Sequence, residues 1–192
     1  MRHFVLAVLA FLAASLSFTA CGMEKPGTHS EREPGSGNVI TSDVLTSFLC
    51  EFSTDYTQVE GTAFSYGRYR FEVDADDDGD GMVNCTVEAW AGAGDDVKFS
   101  FLMDRNELSS LQTILKDKGV VAENGYVSVT KGVEECGGLV KASYDNGDTL
   151  YVYSNVQVPF RDAMKPICDY FEQRARDAGC ADELKCSLAV SE

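Results

Sequence analysis

Histidine is nearly missing from this 192-residue chain, which has only His3 and His29. Neither falls in the stretch whose patterning predicts a folded domain. That excludes a Ser-His-Asp or Cys-His arrangement there and removes the most versatile acid–base group near neutral pH. No CxxC pair is present, so with so little histidine a structural zinc site lacks its usual ligands. There is no GxSxG, no glycine-rich phosphate loop and no HExxH. Internal repeats and coiled-coil heptads are absent as well. No apolar run reaches the ~20 residues that a helix needs to span a bilayer. Basic residues are scarce, 16 against 31 acidic ones, for a net charge of −15. Such a field repels nucleic acid and anionic headgroups. It leaves cations, cationic partners and neutral ligands, and it also serves plain solubility.

The N-terminus is patterned. Met1-Arg2-His3 is a short positive start, and Phe4 to Ala14 is an apolar run too short to cross a membrane. Ser17-Phe18-Thr19-Ala20 then leads to Cys21-Gly22. This order is that of a secretory signal peptide over residues 1–20. Phe18 is too large for ordinary cleavage before Cys21, which favours small residues at both −1 and −3. Thr19-Ala20-Cys21 resembles the bacterial lipobox, although Phe18 stands where that motif usually has Leu. The resemblance implies that Cys21 is diacylated and begins the mature chain, held to a bacterial membrane with its domain facing periplasm or exterior. Cysteine counting agrees: seven is odd, and setting Cys21 aside leaves six that can pair. The alternative is a free secreted protein with one spare thiol. Processing would leave 15 basic and 31 acidic residues.

Residues 21–41 read as the lipidated cysteine and a flexible tether rich in Gly, Pro, Ser and charge. Residues 42–192 read as one domain with a cysteine-rich C-terminal tail. Ser42 is placed to cap a helix from Asp43 to about Phe52. Alternation predicts strands ending 62–74 (Tyr69, Phe71, Val73 inward), over 83–91 (Val83, Cys85, Val87, Ala89) and over 97–103. Asp104 to Glu107 is a capping box opening a helix that carries Leu108, Leu111 and Leu115 and ends at Gly119. A strand near 126–131 follows, then a hairpin about Asn146-Gly147. The last helix runs from Asp162 to Ala178, with Pro166 in its first turn. The expected fold is therefore α+β, order α-βββ-α-βββ-α: an antiparallel sheet of two three-strand runs, helices on one face, stapled by disulfides. As a pattern, residues 60–178 are weakly similar to small secreted domains of uncharacterised bacterial lipoproteins, a resemblance that implies no activity.

Three sets of residues invite a chemical reading. Cys50, Cys85, Cys136, Cys168, Cys180 and Cys186, exported to an oxidising space, are expected as three disulfides. Cys168–Cys180 is excluded because ~18 Å of helix separates them. Asp76, Asp78, Asp80, the Met82 carbonyl and Asn84 match positions 1, 3, 5, 7 and 9 of a calcium loop. The closing glutamate is missing, with Val87 at position 12, so any Ca²⁺ affinity falls near 10⁻⁴–10⁻³ M as an order of magnitude. Turn chemistry alone also explains Asp and Gly there. Phe64, Tyr66, Trp90, Tyr144, Tyr151 and Tyr153 exceed what one core face needs. Exposed, they would form an aromatic surface for glycan or protein; otherwise they belong to a second core layer. The expected function is a membrane-anchored binding module for an unknown extracellular protein or glycan, without catalysis and without nucleic acid. The alternatives are a structural envelope lipoprotein and a carboxylate-based hydrolase.

Overall fold

The computed structural model describes residues 29–54, 67–74, 80–90, 97–134 and 136–186, without the side chains of 29–30 and 184–186. Cys21, Phe64, Tyr66, Asp76 and Asp78 lie outside the described residues.

Strands β1 (His29–Arg32), β2 (Leu45–Ser53), β3 (Arg68–Asp74), β4 (Met82–Trp90) and β5 (Val97–Asp104) come first. A 3-10 turn at Arg105–Glu107 leads into helix α1 (Leu108–Asp117). Then follow β6 (Val127–Thr130), β7 (Gly138–Tyr144), β8 (Thr149–Ser154), α2 (Arg161–Asp177) and α3 (Ala181–Cys186). All eight strands join one sheet, in the order β1-β6-β8-β7-β2-β3-β4-β5. The sheet is mixed, because β6 runs parallel to β8. Among the described residues the fold is mostly β, with three α-helices.

This corrects the expected fold in three respects. The stretch read as a first helix is β2, a central strand between β3 and β7. Its buried residues Phe48, Cys50 and Phe52 recur at period two, the strand repeat. Ser42 does accept from the Val44 N–H through its hydroxyl, at 3.0 Å, but that closes a local turn before a strand. The sheet is not purely antiparallel. And Cys50, Cys85, Cys136, Cys168 and Cys180 are free thiols, so no disulfide staples the described residues. What holds the layers together is apolar packing.

That packing lies on one side of the sheet. Phe71 of β3 stacks on Phe171 of α2 with ring centroids 4.7 Å apart, and Phe48 of β2 reaches the same ring at 6.0 Å. Phe52 meets Tyr69, Phe71 and Phe160 within 6.4 Å. Helix α2 buries Met164, Ile167, Cys168, Phe171 and Ala175 along one stripe; α1 buries Leu108, Leu111 and Leu115. Pro166 stands six residues into α2, past the first turn, because the helix starts at Arg161.

The stretch 29–41, read from composition as tether, is laid along the domain. β1 pairs with β6. The Gly37 N–H donates to the Asn124 carbonyl at 2.9 Å, and the Thr41 N–H to Asp148 Oδ2 at 2.7 Å. Gly125 (φ 88°) makes this close approach: a Cβ there would lie 2.1 Å from the Gly37 nitrogen.

Candidate binding surface

Because core side chains alternate with their neighbours along each strand, the residues between them form a second face. Helices α1 and α2 bury their apolar stripes against the first one, and α3 contacts β5; among the described residues no helix buries a stripe against the second. The pairing registers lay this face out in rows. One row reads Tyr151, Lys141, Leu49, Glu72, Thr86, Ser100; the next reads Tyr153, Leu139, Glu51, Arg70, Glu88, Lys98. Val127 of β6 adjoins Tyr153. The face thus divides. Strands β6, β8, β7 and β2 present Val127, Tyr151, Tyr153, Leu139 and Leu49, half-buried or exposed. Strands β3, β4 and β5 present a lattice of opposite charges.

The lattice is locally neutralised. Arg70 pairs with Glu72 at 2.8 Å, Lys98 with Glu88 at 2.6 Å, and Arg68 with the buried Glu51. Exposed pairs of this kind are each worth only ~0–1 kcal/mol; they fix the shape of the surface more than they stabilise it. The aromatics are braced by cations. The Arg68 guanidinium lies 5.7 Å from the Trp90 ring centroid and Lys141 Nζ 5.7 Å from that of Tyr151, while the Tyr151 and Tyr153 rings tilt together at 6.5 Å.

Trp90, Tyr151 and Tyr153 therefore belong to the uncovered face. Tyr144 does not, which corrects its place in the expected aromatic surface. It is buried on the helix side, where its hydroxyl donates to Gln112 Oε1 at 3.0 Å; burial raises its pKa. The cause is the hairpin. Ser143 pairs with Thr149 and Ala142 with Leu150, so the loop holds three residues, Asp145-Asn146-Gly147, with Gly147 at φ 85°. A two-residue Asn-Gly loop would have paired Ala142 with Tyr151. One added residue moves every β8 side chain to the other face relative to that expectation.

The calcium pattern is not gathered into a site by the residues that are described. Asp80 Oδ1 is taken by the Met82 N–H at 2.7 Å, closing a turn. Met82 and Asn84 lie on the extended strand β4, which spaces them ~7 Å apart along the chain. Among the described residues no group of three His, Cys, Asp or Glu is placed to hold a metal ion.

The thiols are chemically quiet. Burial pushes Cys85 up to about 12 and raises Cys50 and Cys168 well above the usual range. Cys136, beside Glu51, is pushed up to about 11, by burial first and by that carboxylate second. A thiol at such a pKa is protonated at neutral pH and a poor nucleophile. Of the clefts, one of 380 Å³ opens where α1 ends and α2 begins. Its charged lining, Lys118 and Arg161 with Glu123 and Asp162, is balanced. A second, of 300 Å³, is a groove on the uncovered face around Leu49, between Glu72 and Lys141.

No family model matches this chain, and no curated protein or solved structure is detectably similar to it.

Proposed function

We propose that this chain is a binding module displayed on a bacterial envelope, anchored by a lipid on Cys21, which captures an extracellular protein or glycan and turns nothing over. One observation carries the reading: among the described residues the sheet is covered by helices on one side only. The uncovered side bears Tyr151, Tyr153 and Leu139, and beside them a groove lined by Leu49, Glu72 and Lys141. Aromatic rings give large contact area for little lost side-chain entropy, which suits recognition. Neutral or cationic ligands fit the chain's net charge. The anchor is supported by the residue order from Phe4 to Cys21.

A photo-crosslinking residue placed at Tyr151 in living cells tests it, with the same residue at Asp169 on the exposed flank of α2 as the control. Adducts from position 151 that are absent from 169 and lost with Leu49→Asp support the reading. No adducts at 151, or turnover of a glycan or peptide abolished by one carboxylate substitution, would overturn it.

A further inference from the structure

We infer that the outer edge of β5 is a self-association site, where a second copy of this chain adds its own β5 antiparallel about a two-fold axis through Phe101. This goes beyond the binding reading and does not depend on it.

The edge is long and carries none of the usual sequence defences. β5 ends the strand order, and its eight residues pair with β4 in unbroken register. Edge strands are normally blunted by a bulge, a proline, a mid-strand lysine or shortness. β5 has none of these: its only basic residue, Lys98, is next to its end. Helix α3 packs against the strand, yet among the described residues no backbone hydrogen bond reaches the outer edge.

The register decides which groups point outward. The Arg105 N–H donates to the Gly81 carbonyl at 2.9 Å. In an antiparallel ladder, hydrogen-bonded and non-bonded positions alternate. Val97, Phe99, Phe101 and Met103 therefore turn their main chain to β4. Lys98, Ser100, Leu102 and Asp104 turn theirs to the free edge. The side chains of this second set lie on the uncovered face, where Leu102 is 60% exposed.

Only one two-fold register uses all four. Centred on Phe101, it sets Lys98 opposite Asp104 of the second copy and Ser100 opposite Leu102, each twice. Every such pair exchanges two main-chain bonds. Shifting by two residues in either direction loses a pair and sets Lys98 against Leu102 or past the strand end. Opposite charges directly across an antiparallel pair are favourable, and like charges are not. Two copies of net charge −15 repel at a distance; the crosswise Lys98–Asp104 contact, in which Lys98 is shared with Glu88 of its own copy and Asp104 with the Asn106 N–H, is what favours this register. The two exposed Leu102 side chains then come diagonal to each other. On the helix side, the half-buried Phe99 meets Met103 of the second copy.

Sedimentation velocity of the full chain, in detergent if lipidated, tests this over a hundredfold range of concentration. A reversible dimer is expected. Lys98→Glu and Asp104→Lys should each raise its dissociation constant at least about tenfold, and the double variant should restore it. Ser100→Pro, which removes an outward N–H and the exposed Ser100–Thr86 hydroxyl contact but no main-chain bond to β4, should abolish dimerisation, whereas Ser100→Ala, which loses the hydroxyl contact alone, should still dimerise. A wild type that stays monomeric throughout overturns the proposal. So does a dimer that tolerates Ser100→Pro with its fold intact, or one that the double charge exchange fails to rescue.

Discussion

Asp148 shows how far one side chain can reach. Its Oδ2 accepts the Thr41 N–H at 2.7 Å, the Asn146 amide at 2.8 Å and the Thr41 hydroxyl at 3.0 Å. Together these lower its pKa from 3.8 to about 2. The folded value is the depressed one, so the carboxylate contributes stability above pH 4 that is lost as pH falls through about 2. In urea unfolding, wild type should lose midpoint between pH 5 and pH 2 and Asp148→Asn should lose less. An unchanged gap between the two proteins across that window would contradict the assignment. The thiols give a second test. A maleimide should reach Cys180 and, slowly because its raised pKa keeps it protonated, Cys136 in the native protein, and spare Cys50, Cys85 and Cys168 until it unfolds, because those three are buried. Native labelling of Cys50 at the unfolded rate would count against the packing described.

At the level of elements, α2 is the clamp. Phe171 stacks against β3, reaches β2 and meets Tyr170 edge-on at 5.2 Å. Truncating a core phenylalanine costs ~3–5 kcal/mol, so Phe171→Ala should lower stability by that order in equilibrium denaturation; a loss under 1 kcal/mol would mean that the stack is not central. β6 is held differently. Only Val127 and Ser128 pair with β8, and the buried Asn155 side chain adds three hydrogen bonds beyond them: it accepts from the Thr130 N–H and donates to the Thr130 and Val133 carbonyls. Asn155→Ala removes those three hydrogen bonds, while the Thr130 carbonyl keeps the Val133 N–H at 3.3 Å; each buried group that finds no new partner costs ~1–3 kcal/mol. Hydrogen exchange should rise in β6 well before β3–β5; a uniform rise would refute the local role. Strands β3 to β5 and both long helices were legible in the sequence, because Tyr69-Phe71-Val73 and Leu108-Leu111-Leu115 carry clean periods. β2 was less so: Val44 and Phe48 are spaced as on a helix, Phe48, Cys50 and Phe52 as on a strand, and only burial between β3 and β7 decides. The face of Tyr144 was hidden for another reason. Loop length sets it, and Asn-Gly suits a two-residue loop as well as the three-residue one that forms. Nor does the Cys pattern carry pairing, which depends on distances across the core.

For the whole molecule, placement at a membrane is the testable claim. Cys21→Ala should move the protein from the membrane fraction to the soluble one; a wild type that is already soluble would dispose of the anchor. If the anchor holds, the way β1 joins the sheet acquires a mechanical meaning. Any pull between cell surface and bound partner enters the domain at His29, on the outermost strand. β1 grips β6 through four residue pairs, and β6 grips β8 through two. Load arriving there is met first by the four-pair β1–β6 seam at the sheet's edge. That seam can open bond by bond, while β2 to β5 and the Phe171 stack stay shut. The domain then has a built-in length of chain to yield under tension, and peeling β1 away would limit the load passed on to a partner held on the uncovered face.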